Sequence, residues 1–367
     1  MNLTISKSIL LKALQRVAGT AKRNRTMPIL SCVLLVADEN KISLTAFDLE
    51  IGIRVSCLDS VQVESAGKVA VPFTKILDLV KVLPEEEVSL DLLDNFRLQV
   101  TSGESISRIG CFDPAEFPSI GSDSRKKWKS FSLYSDDLQA LLGSCLHSMS
   151  SDEEKYNLCG VYLTLENGLL VAVSTDGHRL SLAGREFEDM PGPGTGVIIP
   201  AKGVEEIMRL PSDHMGLHLG PNVLEVVQGD LFLSIRLVEG EFPGFRKAIP
   251  ADLPHYCSFG RADLVDAIGR VRLLSLKNTI SILIETNALI LKASNDSDEG
   301  IDSIVSKTAG ANTAFKINGK YLLDALSSFE GSEVILKYHD GLSSIVLLPA
   351  NFDKWDERLA VIQPMRF

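Results

Sequence analysis

The segments LTISKSILLKAL (residues 3–14), FSLYSDDLQALL (131–142) and CSFGRADLVDAI (257–268) decide the fold. Each opens as a short alternating strand, breaks at polar residues and continues with apolar residues at helical spacing. They start 128 and 126 residues apart. A second landmark follows in the same order: NKISLTAFDLEIGIRV from Asn40, NGLLVAVSTDGHRLSLAG from Asn167 and NALILKASNDSDEGIDSIV from Asn287. Each reads as a turn, an alternating strand, a polar tip and a return strand. The tips Asp48, Asp176 and Asn295 stand 128 and 119 residues apart. A third landmark runs a strand into a helix: VAVPFTKILDLV from Val69, VIIPAKGVEEIM from Val197 and FKINGKYLLDAL from Phe315. Val71, Ile199 and Ile317 are its equivalent positions, at offsets of 128 and 118.

Repeats of this length are whole domains rather than solenoid units. Each copy contains the same half twice: strand, helix, then several strands closing on tight turns. The alternation predicts antiparallel sheets with one buried face, covered by two short helices per domain. The expected architecture is therefore α+β, with three similar domains over residues 1–124, 125–252 and 253–367. Polar stretches at 121–128 and 250–254 mark the junctions.

At 367 residues the chain is too long for one ordinary core. With 45% apolar and 23% charged residues, it reads as soluble and globular, not disordered. The net charge of −11 is unevenly placed. Residues 1–37 carry Lys7, Lys12, Arg16, Lys22, Arg23 and Arg25 and no acid, which leaves all 48 acids to the rest. Such a split implies a basic surface on an acidic body, so acidity does not exclude nucleic acid. On the first predicted helix, Leu10, Ala13, Leu14 and Val17 share one face, and Lys12 and Arg16 the other, with no acid among them. Later helices mix signs: Lys75 and Lys81 flank Asp78, and Lys202 and Arg209 flank Glu205 and Glu206. Cations facing phosphates attract DNA without reading bases. No recognition-helix, zinc-finger or RNA-binding aromatic signature is present, so DNA would be held without sequence preference.

Six scattered cysteines without a CxxC pair read as reduced thiols of a cytosolic protein. Cys145, His147 and Cys159 lack the ligand spacing of a zinc site, and no cofactor is expected. No apolar run approaches the roughly 18 residues that span a membrane. Lys12 and Arg16 interrupt any signal-peptide core, so the expected location is cytoplasmic, with no membrane partner. An enzyme reading could rest on Thr175-Asp176-Gly177-His178, the Asp orienting the His as a base. It has no nucleophile, and the equivalent tips Asp48 and Asn295 carry no His. Walker A and GxGxxG motifs are absent. A scaffold unrelated to DNA would share the repeats but lack salt sensitivity and retention on circular DNA. Chain ends are usually polar, yet this one carries Val361, Ile362, Pro364, Met365 and Phe367. That tail either packs into an apolar depression that receives partners or closes a core.

Five features in this order resemble the bacterial DNA polymerase III beta subunits, the sliding clamps, over essentially the whole length. They are the triplicated pattern, RTMPIL (25–30), TDGHRL (175–180), EGEFPGFRKAIP (239–250) and VIQPMRF (361–367). The resemblance implies a non-enzymatic DNA polymerase processivity factor. It would be a head-to-tail homodimeric ring of six domains, with sheets outside, helices inside and double-stranded DNA enclosed. DNA contacts are implied for Lys12, Arg16, Arg23, Arg25, Lys75, Lys81, Lys202 and Arg209. The family's DNA-contacting loop reads SSDEEKY at 150–156 and offers Lys155 and Tyr156.

The resemblance also implies a groove for short peptide motifs of the replicative DNA polymerase, the clamp loader and other clamp-binding proteins. Its residues would be Leu158, Thr175, Gly177, His178, Arg179 and Leu180, then Pro243 and Lys247 on the following strand and loop. Asn318, Tyr321 and the tail residues Val361, Ile362, Pro364, Met365, Arg366 and Phe367 complete it. Methionine suits a site that adapts to several clients. Gln363 and Phe367 depart from the family's usual apolar and smaller aliphatic residues, which bears on client preference. Leu273 and Leu274 match an apolar pair at the subunit interface, although their spacing suits a buried core pair equally.

Overall fold

The computed structural model describes residues 1–21, 24–57, 61–121, 128–187, 194–351 and 356–365. Among them are six α-helices: α1 (Lys7–Val17), α2 (Phe73–Val82), α3 (Ser135–Gly143), α4 (Ala201–Ile207), α5 (Arg261–Val271) and α6 (Gly319–Ser328). Each follows directly on a strand: Asn2–Ser6, Gly67–Pro72, Lys129–Tyr134, Gly194–Pro200, His255–Gly260 and Thr313–Asn318. The strand-to-helix step thus occurs twice in each of three similar α+β repeats, as the first and third landmarks require. Val71, Ile199 and Ile317 are each fully buried at the second step.

The entry to each helix depends on what the strand end offers. Pro72 and Pro200 stand at the N-caps of α2 and α4, where the proline's missing N–H costs nothing. The third copy uses Asn318 instead, whose side chain accepts from the Lys320 N–H at 2.9 Å. At α1 the cap comes from elsewhere. Glu86 accepts from the Ser8 N–H at 2.9 Å and from the Ser6 hydroxyl, and its own carbonyl accepts from the Lys7 N–H at 2.6 Å.

The three hairpin tips share one geometry. Asp48 Oδ1 accepts from the N–H groups of Glu50 and Ile51, Asp176 Oδ1 from His178 and Arg179, and Asn295 Oδ1 from Ser297 and Asp298. An acceptor two bonds beyond Cβ reaches the backbone two and three residues on, so Asp and Asn exchange freely there. The repeated tip is an Asx turn, and at Asp176 the backbone occupies Oδ1 while the Arg179 side chain occupies Oδ2.

All described strand pairings are antiparallel. By contacts the chain forms two compact units. One holds Met1–Ser135 with Pro211–Leu237, the other Asp136–Leu210 with Val238–Phe367. In the first, strand Leu231–Arg236 of the second repeat pairs with Ile51–Cys57 of the first, continuing one eight-stranded sheet. Compactness therefore cuts through the second repeat, because strands hydrogen-bond across repeat boundaries. In this unit α1 buries Leu10, Ala13, Leu14 and Val17 beside α2, which buries Phe73, Ile76 and Val80. Each such leucine contributes about 2 kcal/mol of burial. The second unit holds a twelve-stranded sheet. One of its cores joins Leu264, Ala267 and Ile268 of α5 to Leu322, Ala325 and Leu326 of α6.

All six cysteines are free thiols. Burial pushes Cys32, Cys145 and Cys257 up to about 12.

Candidate functional site

Strand pairing in the second unit brings together several of the residues expected to line a groove. Strand Arg179–Glu186 is flanked by Leu169–Thr175 and by Glu357–Ile362, which sets Leu180 opposite Val361 and Arg179 opposite Ile362. Glu357–Ile362 pairs in turn with Ile345–Pro349. Leu180, Val361, Leu359, Val346 and Phe245 share one apolar cluster, with Tyr162 and Phe242 packed against it. Those two rings stack at 4.8 Å and 5°. Leu158 is buried nearby in sequence, at the end of the turn Glu153–Leu158.

Beyond Ile362 the tail is held by its backbone. The Gln363 N–H donates to the His178 carbonyl at 2.9 Å, and the Met365 N–H to the Lys316 carbonyl at 2.8 Å. Pro364 is buried between these anchors while Met365 is exposed, its sulfur accepting from the Thr279 hydroxyl at 3.6 Å. Arg366 and Phe367 lie outside the described residues.

The polar rim centres on Arg179. Nε donates to Asp176 Oδ2 at 3.0 Å, Nη1 to Asp324 Oδ2 at 2.7 Å, and the guanidinium lies 4.2 Å from the Tyr321 ring centroid. Lys320 Nζ meets the same Asp324 oxygen at 2.7 Å. Burial opposes ionisation of Asp324, but the hydrogen bonds from Lys320 and Arg179 overcome it and hold the carboxyl below its usual range. The Thr175 hydroxyl donates to the Arg179 carbonyl at 2.6 Å and accepts from the Gly177 N–H at 3.1 Å. Gly177, with φ +93°, lets the turn close. His178 is exposed. His147 lies behind the strand, its Nε2 paired with the Ser181 hydroxyl at 2.8 Å. Burial, reinforced by Arg179, pushes that imidazole down to about 4, so it is neutral near pH 7.

Pro243 and Lys247 are both exposed, but no strand carries them. Pro243 sits in an irregular segment and Lys247 in the short turn Phe245–Ala248. Cys145 gives its thiol hydrogen to the Ala172 carbonyl and Cys159 to the Asp152 carbonyl. Among the described residues no three His, Cys, Asp or Glu side chains are grouped to hold a metal.

Residues 1–121, 132–244 and 246–366 match the N-terminal, central and C-terminal domains of the DNA polymerase III beta subunit. The chain belongs to that family. The beta sliding clamp of Proteus mirabilis is 34% identical over 94% of this chain and 95% of its own. That of Pseudomonas aeruginosa is 30% identical over the full length of both. The crystal structure of the Pseudomonas aeruginosa DNA polymerase III subunit beta superposes with a TM-score of 0.94, at 29% identity, over all of both chains. The Bacillus subtilis sliding clamp gives the same TM-score at 22% identity, a likeness of fold. The protein is thus a DNA clamp, a processivity factor and a non-catalytic accessory subunit.

The clamp's predicted DNA-facing cations are scattered through both units. Lys12, Arg16, Arg25, Lys75, Lys81, Lys155, Lys202 and Arg209 are all exposed, as is Tyr156; Arg23 lies outside the described residues. The expected single-sign face on α1 is not wholly unopposed, because Arg16 Nη1 meets Asp230 at 3.0 Å. The sequence hid this pair, which the sheet continuity between repeats brings together. Lys81 pairs with Asp78 at 3.3 Å, Lys155 with Asp152 at 3.9 Å, and Arg209 with Glu206. Among the described residues Lys12 and Lys75 form no ion pair, so their charge is presented whole.

Leu273 and Leu274, in the turn Arg272–Leu274, behave differently. Leu274 packs so closely on the strand Glu299–Ala309 that a Cβ at Gly300 would meet it at 2.9 Å. Leu273 is 77% exposed. Sequence reasoning also missed Asp324 and Lys320. Their spacing of four on a helix that carries Tyr321 was the available signal.

Proposed function

We propose that two copies of this clamp join head to tail into a closed ring of six domains, each chain supplying residues 1–124, 125–252 and 253–367. Duplex DNA passes through the ring without sequence preference. Helices line the hole, and the exposed cations from Lys12 to Arg209 face the phosphates. An acidic chain with a net charge of −11 and a few exposed cations suits a ring that topology retains and contacts need not grip. The exposed Leu273 supports a subunit interface, with Leu274 as its packed support. Exposed Ile106, on the edge strand Ser105–Gly110, offers a second apolar contact.

The groove beside the tail receives short peptide segments of the replicative DNA polymerase, the clamp loader and repair proteins. The observation that carries this reading is the tail strand itself. It lines Leu180, Val361 and buried Pro364 beside the Arg179–Asp324–Tyr321 rim, an apolar floor with a few fixed polar groups. The protein works in the cytoplasm; no helix among the described residues is long and apolar enough to cross a membrane.

The deciding experiment loads the protein onto nicked circular plasmid with a clamp loader and then linearises the DNA. A topological clamp slides off the ends. Retention on the linear form at the same salt would overturn the reading.

A further inference from the structure

Arg358 belongs to the tail strand Glu357–Ile362, yet its side chain is buried, with 2% of the residue exposed. Nη1 donates to the Ser144 carbonyl at 3.2 Å. Nη2 donates to the Ser328 carbonyl at 2.8 Å and to its hydroxyl oxygen at 3.0 Å. The guanidinium carbon lies 5.2 Å from the Phe329 ring centroid. Ser144 directly follows α3, and Ser328 is the last residue of α6. Carbonyls at a helix C-terminus lack intrahelical partners and carry the negative end of the helix dipole. One cation therefore serves the ends of two helices, one from the second repeat and one from the third.

A buried cation is a costly way to fill this volume, since an apolar side chain of similar size carries no desolvation penalty. What an apolar side chain cannot do is bind two carbonyls at fixed separation; the planar guanidinium fork can. The same strand then presents Val361 and Ile362 to Leu180 and Arg179, and the chain continues to the anchors at Gln363 and Met365.

We propose that Arg358 is the positioning residue of the peptide groove. It ties the tail strand to the ends of α3 and α6, and so fixes the tail against the Thr175–Leu180 turn on one side and the Asn318–Tyr321 rim on the other. It touches no client. The inference rests on the groove reading above.

The test uses full-length Arg358→Met and Arg358→Lys with two readouts. The first is hydrogen exchange at the Gln363 and Met365 amides, which needs no client. Arg358→Met should raise both exchange rates by about tenfold or more. Arg358→Lys, which can reach one helix end but not fork to both, should fall between Met and wild type. The second readout is affinity for the purified replicative polymerase by surface plasmon resonance. It should weaken by about tenfold in Arg358→Met, because a loosened tail must be ordered on binding. A lower melting temperature with wild-type exchange at both amides and wild-type affinity would make Arg358 a plain stabiliser and overturn the proposal. If Arg358→Met does not fold, unchanged tail exchange in Arg358→Lys overturns it equally. Absence of polymerase binding by the wild type would sink the groove reading, while the exchange readout still decides whether Arg358 positions the tail.

Discussion

Arg179 and Asp324 stand 145 residues apart in sequence and 2.7 Å apart in the fold, each side chain less than a quarter exposed. The pair joins the turn of the second repeat to α6 of the third. Each partner has a second contact, Asp176 for Arg179 and Lys320 for Asp324. Single substitutions therefore leave neither charge stranded, and the interaction emerges only in a double-mutant cycle. Arg179→Ala and Asp324→Ala, alone and together, should give a coupling of about 1 kcal/mol in urea unfolding. Arg179→Ala should be the more damaging single change, because it also removes the cation from the face of Tyr321. Additive single effects would mean the pair is incidental.

Glu86 gives the fold a specific sensitivity to acid. Hydrogen bonds from the Ser6 side chain, the Ser8 backbone and the Ser8 side chain lower its carboxyl from 4.5 to about 2. A group whose folded value lies below its unfolded value stabilises the protein above the unfolded value. That contribution shrinks as pH falls from 4.5 towards 2, when the carboxylate capping α1 takes up a proton. Glu86→Gln should be less stable than wild type at pH 7, with the gap in melting temperature closing across that window. A gap independent of pH would show that the carboxylate charge plays no part in the cap.

The exposed cations are unequal. Among the described residues Lys12 and Lys75 stand without ion pairs, whereas Arg16 is already engaged by Asp230. Each phosphate contact removed lowers the slope of log affinity against log salt by about 0.9 on duplex DNA. Lys12→Ala and Lys75→Ala should each shorten retention on circular DNA and flatten its salt dependence, and Arg16→Ala should do so less. Asp230→Asn should lengthen retention by releasing Arg16. An equal loss at all three cations would show that the Arg16–Asp230 pair opens on DNA.

What the sequence displayed depended on range. The buried face of α1 was legible because Leu10, Ala13, Leu14 and Val17 repeat at the helical period. The three tips were legible because an Asx turn needs only residues two and three positions ahead. The repeat count and the TDGHRL turn followed from the same short-range rules. Arg16–Asp230 and Arg358–Ser144 were not legible, each pair spanning 214 residues. No local pattern says that a strand arginine points inward, or that a hairpin of the second repeat will extend a sheet of the first. Leu273 and Leu274 are adjacent and chemically identical, so only the approach of Gly300 separates the packed one from the exposed one.

The tail is the sharpest test of the groove. Removing residues 364–367 deletes Pro364, the Met365 anchor to Lys316 and the exposed Met365 side chain, but leaves the strand Glu357–Ile362 and the Gln363–His178 hydrogen bond in place. Strand pairing from Arg179–Ile362 to Gly184–Glu357 is untouched, so the fold should persist with only a small fall in melting temperature. The proposed interface residue Leu273 lies in a separate element, and sedimentation should still report a dimer. Binding of the replicative polymerase should disappear, because the last apolar side chains and one wall of the proposed groove are gone. Loss of the dimer together with polymerase binding would instead make these four residues part of the structural core, and the client site would have to lie elsewhere.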